Sequence, residues 1–378
     1  MQWIYLDYNA TTPVAPEVMD EMLPYFWNHF GNPSSGHWYG QQTKKAVDEG
    51  REQVAALLGC HPSEIVFTSG GSEADNYALK GVAWASRHRG NHIITSRVEH
   101  PAILNTCRYL EGQGFHITYL PVDLYGMVDP EEVRKAITRE TILISVMHAN
   151  NEVGTVQPLA AIGEIAREHG ITFHTDAAQS VGKIPTRVEE LKVDLLTIAA
   201  HKLYGPKGMG ALYIRKGTAI EQFIHGAGHE NGRRAGTENV PGIVGLGKAC
   251  ELAASALPQR VRILTELRDE FFRLLQDQVG GVTLNGHPVD RLPNTLNVSF
   301  AGLNAAELLA QTPEVCASTG SACHHGAQTM SPVLAAMGVD ANRGYGAVRF
   351  SLGQWTTREE LQEAAGMLGR QVLSIRRE

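Results

Sequence analysis

The strongest constraint in this sequence is the recurrence of short runs that are apolar on consecutive residues. "EIVFTS" (64–69), "HIITS" (92–96), "FHITYLP" (115–121), "TILISVMH" (141–148), "ITFHTD" (171–176), "VDLLTIAA" (193–200) and "GALYIR" (210–215) each have the length of a strand. Most alternate with amphipathic stretches of helical period, such as "SEADNYALKGVAWASRH" (72–88), "PAILNTCRYLEGQG" (101–114), "DPEEVRKAI" (129–137) and "LAAIGEIAREHG" (159–170). A strand with one wet face alternates apolar and polar residues. A run that does not alternate needs cover on both faces, so the pattern predicts a parallel sheet between layers of helices.

The texture changes after about residue 255. A long helical stretch, "QRVRILTELRDEFFRLLQDQV" (259–279), leads to short strands "TLNVSF" (295–300) and "AVRFSL" (347–352), and then to a helix from 357. A chain of 378 residues exceeds one simple core. The expected division is a large α/β domain over 14–256, and a smaller α+β domain from 1–13 plus 257–378. The net charge of −7, with no Lys/Arg block, argues against nucleic acid and anionic membranes as partners. No apolar run reads as long enough to span a bilayer, and the N-terminus lacks the basic and apolar regions of a signal peptide. Five irregularly spaced cysteines fit reduced thiols, so a cytoplasmic protein is expected.

In an open parallel sheet a ligand binds beyond the carboxyl ends of the strands, so the polar residues there are the candidates. They are Thr68–Ser72, Glu99 with His100, His148–Asn151, Asp176–Gln179, and His201 with Lys202. In "TSGGSE" a strand meets two glycines and a helix start, the outline of a phosphate cradle. Alone, such a turn is more often a tight connection, Asp176 a satisfied carboxylate, and Lys202 an exposed lysine. Together they suit pyridoxal phosphate. The lysine forms a Schiff base, and the carboxylate keeps the ring nitrogen protonated.

Taken in order, "YLDYNATTP", "GNPSS", "EIVFTSGGSEADN", "NNEVGTVQP", "HTDAAQSVGK", "HKLYGPKGMGALY", "RRAGTEN" and "GSAC" closely resemble the cysteine desulfurases. That family comprises fold-type I pyridoxal phosphate enzymes related to aminotransferases. The resemblance implies a mostly parallel seven-stranded sheet flanked by helices, with a smaller α+β domain. It implies that Lys202 is the Schiff-base lysine, that Asp176 pairs with the ring nitrogen, and that His100 stacks on the ring and assists proton transfers. Asn151 and Gln179 would contact the ring hydroxyl, with Asn151 also beside the substrate. Gly71, Ser72 and His201 would hold the phosphate. Thr237 would reach the phosphate in the neighbouring subunit, which implies a homodimer with shared sites. Arg349 would clamp the carboxylate of L-cysteine, since a guanidinium fork suits it. Cys323, in "STGSAC" where the family has "SSGSAC", would take the sulfur as a persulfide. A sulfur-acceptor protein for iron–sulfur clusters or other thio-cofactors would then receive it.

The sequence departs from the family in two places that bear on chemistry. Ala199 stands where many members carry a phosphate-binding serine. His324 and His325 follow Cys323, and a histidine there is similar to selenocysteine lyases. A selenocysteine lyase is therefore the nearest alternative, and an aminotransferase of the same fold is another. Cys323, His324 and His325 also raise a thiol/histidine metal-binding or sulfur-carrier protein. No second Cys/His cluster at ligand spacing supports a metal, and that reading leaves Asp176 and Lys202 without a use, so no metal site is assigned.

Overall fold

Both faces of the central sheet are covered, as unbroken apolar runs require. The structure is a computed structural model that describes residues 3–319 and 330–377. Its strands are β1 (Ile4–Tyr5), β2 (Ile65–Thr68), β3 (His92–Ser96), β4 (His116–Leu120), β5 (Thr141–Ser145), β6 (Thr172–Asp176), β7 (Leu195–Ala199), β8 (Gly210–Ile214), β9 (Val282–Asn285), β10 (Thr295–Phe300), β11 (Val315–Cys316) and β12 (Ala347–Ser351). The seven-stranded sheet has the order β2-β8-β7-β6-β5-β3-β4. The pairs from β7 through β4 are parallel, whereas β8 runs antiparallel to both β2 and β7.

Successive residues on these strands enter different cores, because strand side chains point to opposite faces. Val66, Ile93, Leu143, Leu195 and Leu212 pack with the helices Gly71–Ser86 and Pro101–Glu111. Phe67, Ile94, Ile144, Leu196 and Tyr213 pack on the other face with Trp38–Leu58, Leu159–Glu168 and the start of a long helix, Val240–Val279. Burying each such side chain is worth about 1.5–3 kcal/mol, which is why the runs need no polar alternation.

The helix Val240–Val279 changes the expected domain boundary. The sequence reading places a long helical stretch at 259–279. The structure carries one 40-residue helix straight through Pro258. Its first part, with Val244 and Cys250, lies in the large core. Its last part, with Leu264 and Phe271, lies in the small one. This helix also corrects the membrane expectation: an 18-residue window has mean hydropathy 1.3, apolar and long enough to cross a bilayer. More than half of that window, 56%, is buried inside the protein. Small residues permit close packing there, and a Cβ at Gly247 would sit 2.6 Å from the Gly50 Cα of helix Trp38–Leu58.

The small domain is built on the antiparallel sheet β9-β10-β12. Phe271 meets Phe350 edge to face at 5.1 Å in its core. The N-terminal segment joins it, as expected, through parallel pairing of β1 with β11 and burial of Ile4 and Leu6 in the small core. Beyond β1 the segment crosses to the large domain, where Thr12 N donates to the His201 carbonyl at 3.0 Å.

Candidate active site

A cavity of about 340 Å³ opens at the carboxyl ends of β2, β3, β5, β6 and β7. Its walls contain nearly all the candidates named from the sequence: Gly71, Ser72, His100, Asn151, Asp176, Gln179, His201, Lys202 and Arg349. Among the expected strand-end groups, Thr68, Ser69, Glu99 and Asn150 are not in this wall, and neither is His148. It is buried, with Nδ1 at 2.9 Å from Ser180 Oγ, and burial pushes it down to about 4, so it acts as a neutral structural group.

One end of the cavity is built for an anion. The 16-residue helix Gly71–Ser86 begins there with no side-chain cap on its first turn. Its leading N–H groups and the positive end of its dipole are thus free for a ligand. Gly70 enters the turn at φ 148°, a conformation that disfavours a side chain. The Glu73 charge in that first turn is already taken, by Arg234 at 2.9 Å and the Ser69 N–H at 2.8 Å. His201 stands opposite, with Nδ1 at 3.1 Å from Thr11 Oγ1. Ala199 faces Gly71 closely: a Cβ on that glycine would be 3.4 Å from the Ala199 Cβ. The missing hydroxyl is therefore on the cavity wall itself.

The middle of the cavity holds the carboxylate and the lysine. Asp176 closes β6 and accepts from the Ala178 N–H at 2.9 Å. Burial raises its pKa, while His100 and Lys202 pull the other way. A cationic ring nitrogen placed against it would restore the ionised form. Lys202 lies just past β7 and donates to the carbonyls of Asn9 and Ala10, both at 2.6 Å. Burial, assisted by Arg349, pushes it down to about 8, so the neutral nucleophilic amine is accessible near neutral pH. His100 caps the helix Pro101–Glu111, and its Nδ1 accepts from the Ala102 N–H at 3.2 Å. That leaves Nε2 as the protonated nitrogen of a ring that burial keeps neutral.

Arg349 forms the far wall. Nη2 is 2.7 Å from Asp7 Oδ1 and Nη1 donates to the Asn151 carbonyl at 3.0 Å. Its Nε is buried without a partner among the described residues. A guanidinium held on two sides with a third donor unmet suits an incoming carboxylate. Asp75 also lines the cavity, 1% exposed, and among the described residues its Oδ1 has no hydrogen bond, with His174 Nε2 at 3.8 Å. Burial and the nearby Asp176 push its pKa up, which favours the protonated carboxyl.

The structure does not bring every expected residue together. Thr237 is exposed and outside the cavity wall of its own chain. Cys323, His324 and His325 lie outside the described residues. The remaining cysteines carry thiols raised by burial: Cys60, Cys107 and Cys250 to about 12, and Cys316 upward as well. Three wall or near-wall residues carried no assigned role in the sequence: Asn9, Asp75 and Lys183. Asp75 sits four residues after Gly71 on one helix, so the i,i+4 spacing was its available signal. Asn9 is placed by long-range bonds that leave no local pattern, among them Nδ2 to Thr295 Oγ1 at 2.8 Å.

The chain matches the aminotransferase class-V family model over residues 4–363. It is 51% identical to a cysteine desulfurase IscS of Dictyoglomus turgidum over 99% of this chain and 95% of that protein. It is 50% identical to a cysteine desulfurase IscS of Methanosarcina thermophila over 99% and 93%. Among solved structures, a NifS-like protein superposes with TM-score 0.93 at 39% identity, over 99% of this chain and 100% of that one. A structure described as SspA in complex with cysteine gives TM-score 0.82 at 39% identity, over 93% and 99%. Members of this family are pyridoxal phosphate enzymes. With the strand-end lysine, carboxylate and anion-binding helix in one cavity, the chain belongs to the cysteine desulfurase family of the class-V aminotransferases.

Proposed function

We propose that this chain is a pyridoxal phosphate-dependent L-cysteine desulfurase, forming L-alanine and leaving the sulfur as a persulfide on Cys323. The observation that carries the reading is the meeting of Lys202, Asp176 and the uncapped helix start at Gly71–Ser72 in one cavity. When bound, pyridoxal phosphate supplies an aldehyde carbon that condenses with amines and a cationic ring that withdraws electrons from the bonds being broken. Lys202 would hold the aldehyde carbon, Asp176 the ring nitrogen, Gln179 and Asn151 the ring oxygen, and Gly71, Ser72 and His201 the phosphate.

Arg349 receives the substrate carboxylate through the donors that Asp7 and Asn151 leave free, which fixes the substrate Cα and sulfur over the cavity floor. Lys202, once its amine is free, would serve as the base for the substrate Cα proton, and its depressed pKa suits proton transfer near neutral pH. His100 moves protons through Nε2, the nitrogen not occupied by its helix cap. The Cys323 thiolate attacks the substrate sulfur. An S–S bond forms as the Cβ–S bond breaks, and the proton given up by the thiol is matched by the one gained at the alanine methyl. No external oxidant or reductant is needed.

The chain leading to Cys323 supports this role. Ser318 pairs with Arg349 through both backbone bonds, at 2.7 and 3.2 Å. Cys323 follows five residues later, a span of at most roughly 18 Å. A homodimer with Thr237 serving the neighbouring site is part of the proposal. Its support is a cluster of exposed aromatics, Phe26, Trp27, Phe30, Trp38 and Tyr39, on the large domain.

The test is borohydride reduction of the cofactor-loaded protein followed by peptide mapping. The adduct is expected on Lys202, and Lys202→Ala is expected to lose both adduct and turnover. An adduct on Lys183 or Lys207 would overturn the assignment.

A further inference from the structure

Lys183 is a buried lysine for which the chemistry above has no use. It is 7% exposed, and among the described residues its Nζ has neutral amide partners rather than a carboxylate. Nζ donates to Gln179 Oε1 at 2.8 Å and to Asn9 Oδ1 at 3.1 Å. The lysine N–H groups thus face the oxygen end of each amide. Gln179 must turn its oxygen to Lys183 and its nitrogen away. Its Nε2 donates one hydrogen to the Asn9 carbonyl at 2.9 Å. The second hydrogen is left for the cavity that Gln179 lines. The same Asn9 carbonyl accepts from Lys202 at 2.6 Å, so the two lysines and the glutamine share one hub.

We propose that Lys183 is a positioning residue that locks Gln179 as a hydrogen-bond donor toward the cofactor's ring oxygen. The inference rests on the pyridoxal phosphate reading of this site. A flipped glutamine would present its own oxygen to an ionised ring oxygen and repel it, and Lys183 joins the Asn9 carbonyl in opposing that flip. Locked, it donates always, and so favours the ionised oxygen. Burial and the neighbouring Lys202 and Arg349 hold Lys183 well below its ordinary pKa, and a neutral amine keeps two N–H donors for the two amide oxygens that face it.

Donors to the ring oxygen stabilise the form of the bound chromophore that has lost its proton, because that form leaves the oxygen's charge uncompensated. Removing them raises the pH midpoint of the visible absorbance change. The experiment is a spectral pH titration of cofactor-loaded wild type, Lys183→Met, Gln179→Leu and the double variant, with the cofactor dissociation constant measured alongside. Lys183→Met is expected to raise the midpoint by about one unit, a tenfold change in the proton equilibrium, and to weaken cofactor binding. Gln179→Leu is expected to shift it similarly, and the double variant no further, since one residue acts through the other. A wild-type midpoint in Lys183→Met, or shifts that add in the double variant, would overturn the proposal. Should Lys183→Met not fold, Lys183→Gln keeps the volume and polarity but lets the facing amides turn over, and the same outcomes decide. A wild-type protein with no visible band would instead overturn the cofactor reading, and this inference with it.

Discussion

Buried ionisable side chains set how this protein responds to pH. Glu99 accepts from Ser96 Oγ at 2.6 Å and the Met147 N–H at 2.9 Å, yet burial pushes it from 4.5 up to about 8. The folded protein thus binds a proton there that the unfolded chain lacks between about pH 4.5 and 8. Stability therefore falls as pH rises across that window, by about 1.4 kcal/mol per unit. His148 and His174 have the opposite sign. Burial lowers them from 6.5 to about 4 and about 3, so stability is lost as pH falls below 6.5. Urea midpoints should peak near pH 6.5, and Glu99→Gln should flatten the alkaline side, where its amide can replace the carboxyl's bonds. An unchanged alkaline slope in that variant would contradict the argument. At this scale the sequence reading located the residues whose position follows from a strand end, such as Lys202, Asp176, His100 and Gln179. It gave no role to Asn9 or Lys183, because the bond joining them spans 174 residues and leaves no spacing to read.

The elements were legible where hydrophobic pattern and capping agree. β3 runs His92–Ser96 and the next helix starts at Pro101, both as expected, because a proline at the first turn loses no hydrogen bond. Pro258 stands inside a helix instead. A proline usually interrupts a helix, but here packing on both domains carries the helix through it. The turn between β2 and the helix Gly71–Ser86 depends on a glycine outside it. A Cβ on Gly210, the first residue of β8, would come within 2.5 Å of the Ile198 carbonyl oxygen and 2.7 Å of the Gly70 Cα. Both are backbone atoms and cannot swing away. Gly210→Ala should therefore cost about 1–3 kcal/mol of stability and displace the helix start from the phosphate position. Thermal melts with and without pyridoxal phosphate would show a lower midpoint and a smaller gain from the cofactor. A variant matching wild type in both would contradict this picture of the turn.

At the scale of the molecule, the site depends on both domains and on the N-terminal segment between them. Arg349 of β12 enters the large-domain cavity, held by Asp7 of that segment and by the Asn151 carbonyl. The sequence reading placed its domain division at the change of texture after residue 255. The sharing of one helix between the domains was not legible there, since nothing in a local pattern tells which core each turn will meet. The central claim is that sulfur passes from cysteine held in this cavity to Cys323. Its most direct measurement is a single turnover of cofactor-loaded protein with L-cysteine, quantifying alanine while mass spectrometry reads the peptide containing Cys323. The expected result is one sulfur atom gained on Cys323 for each alanine formed, with Cys323→Ala keeping its cofactor but forming neither persulfide nor alanine. Wild-type alanine formation by Cys323→Ala, or the sulfur appearing on Cys316 instead, would contradict it.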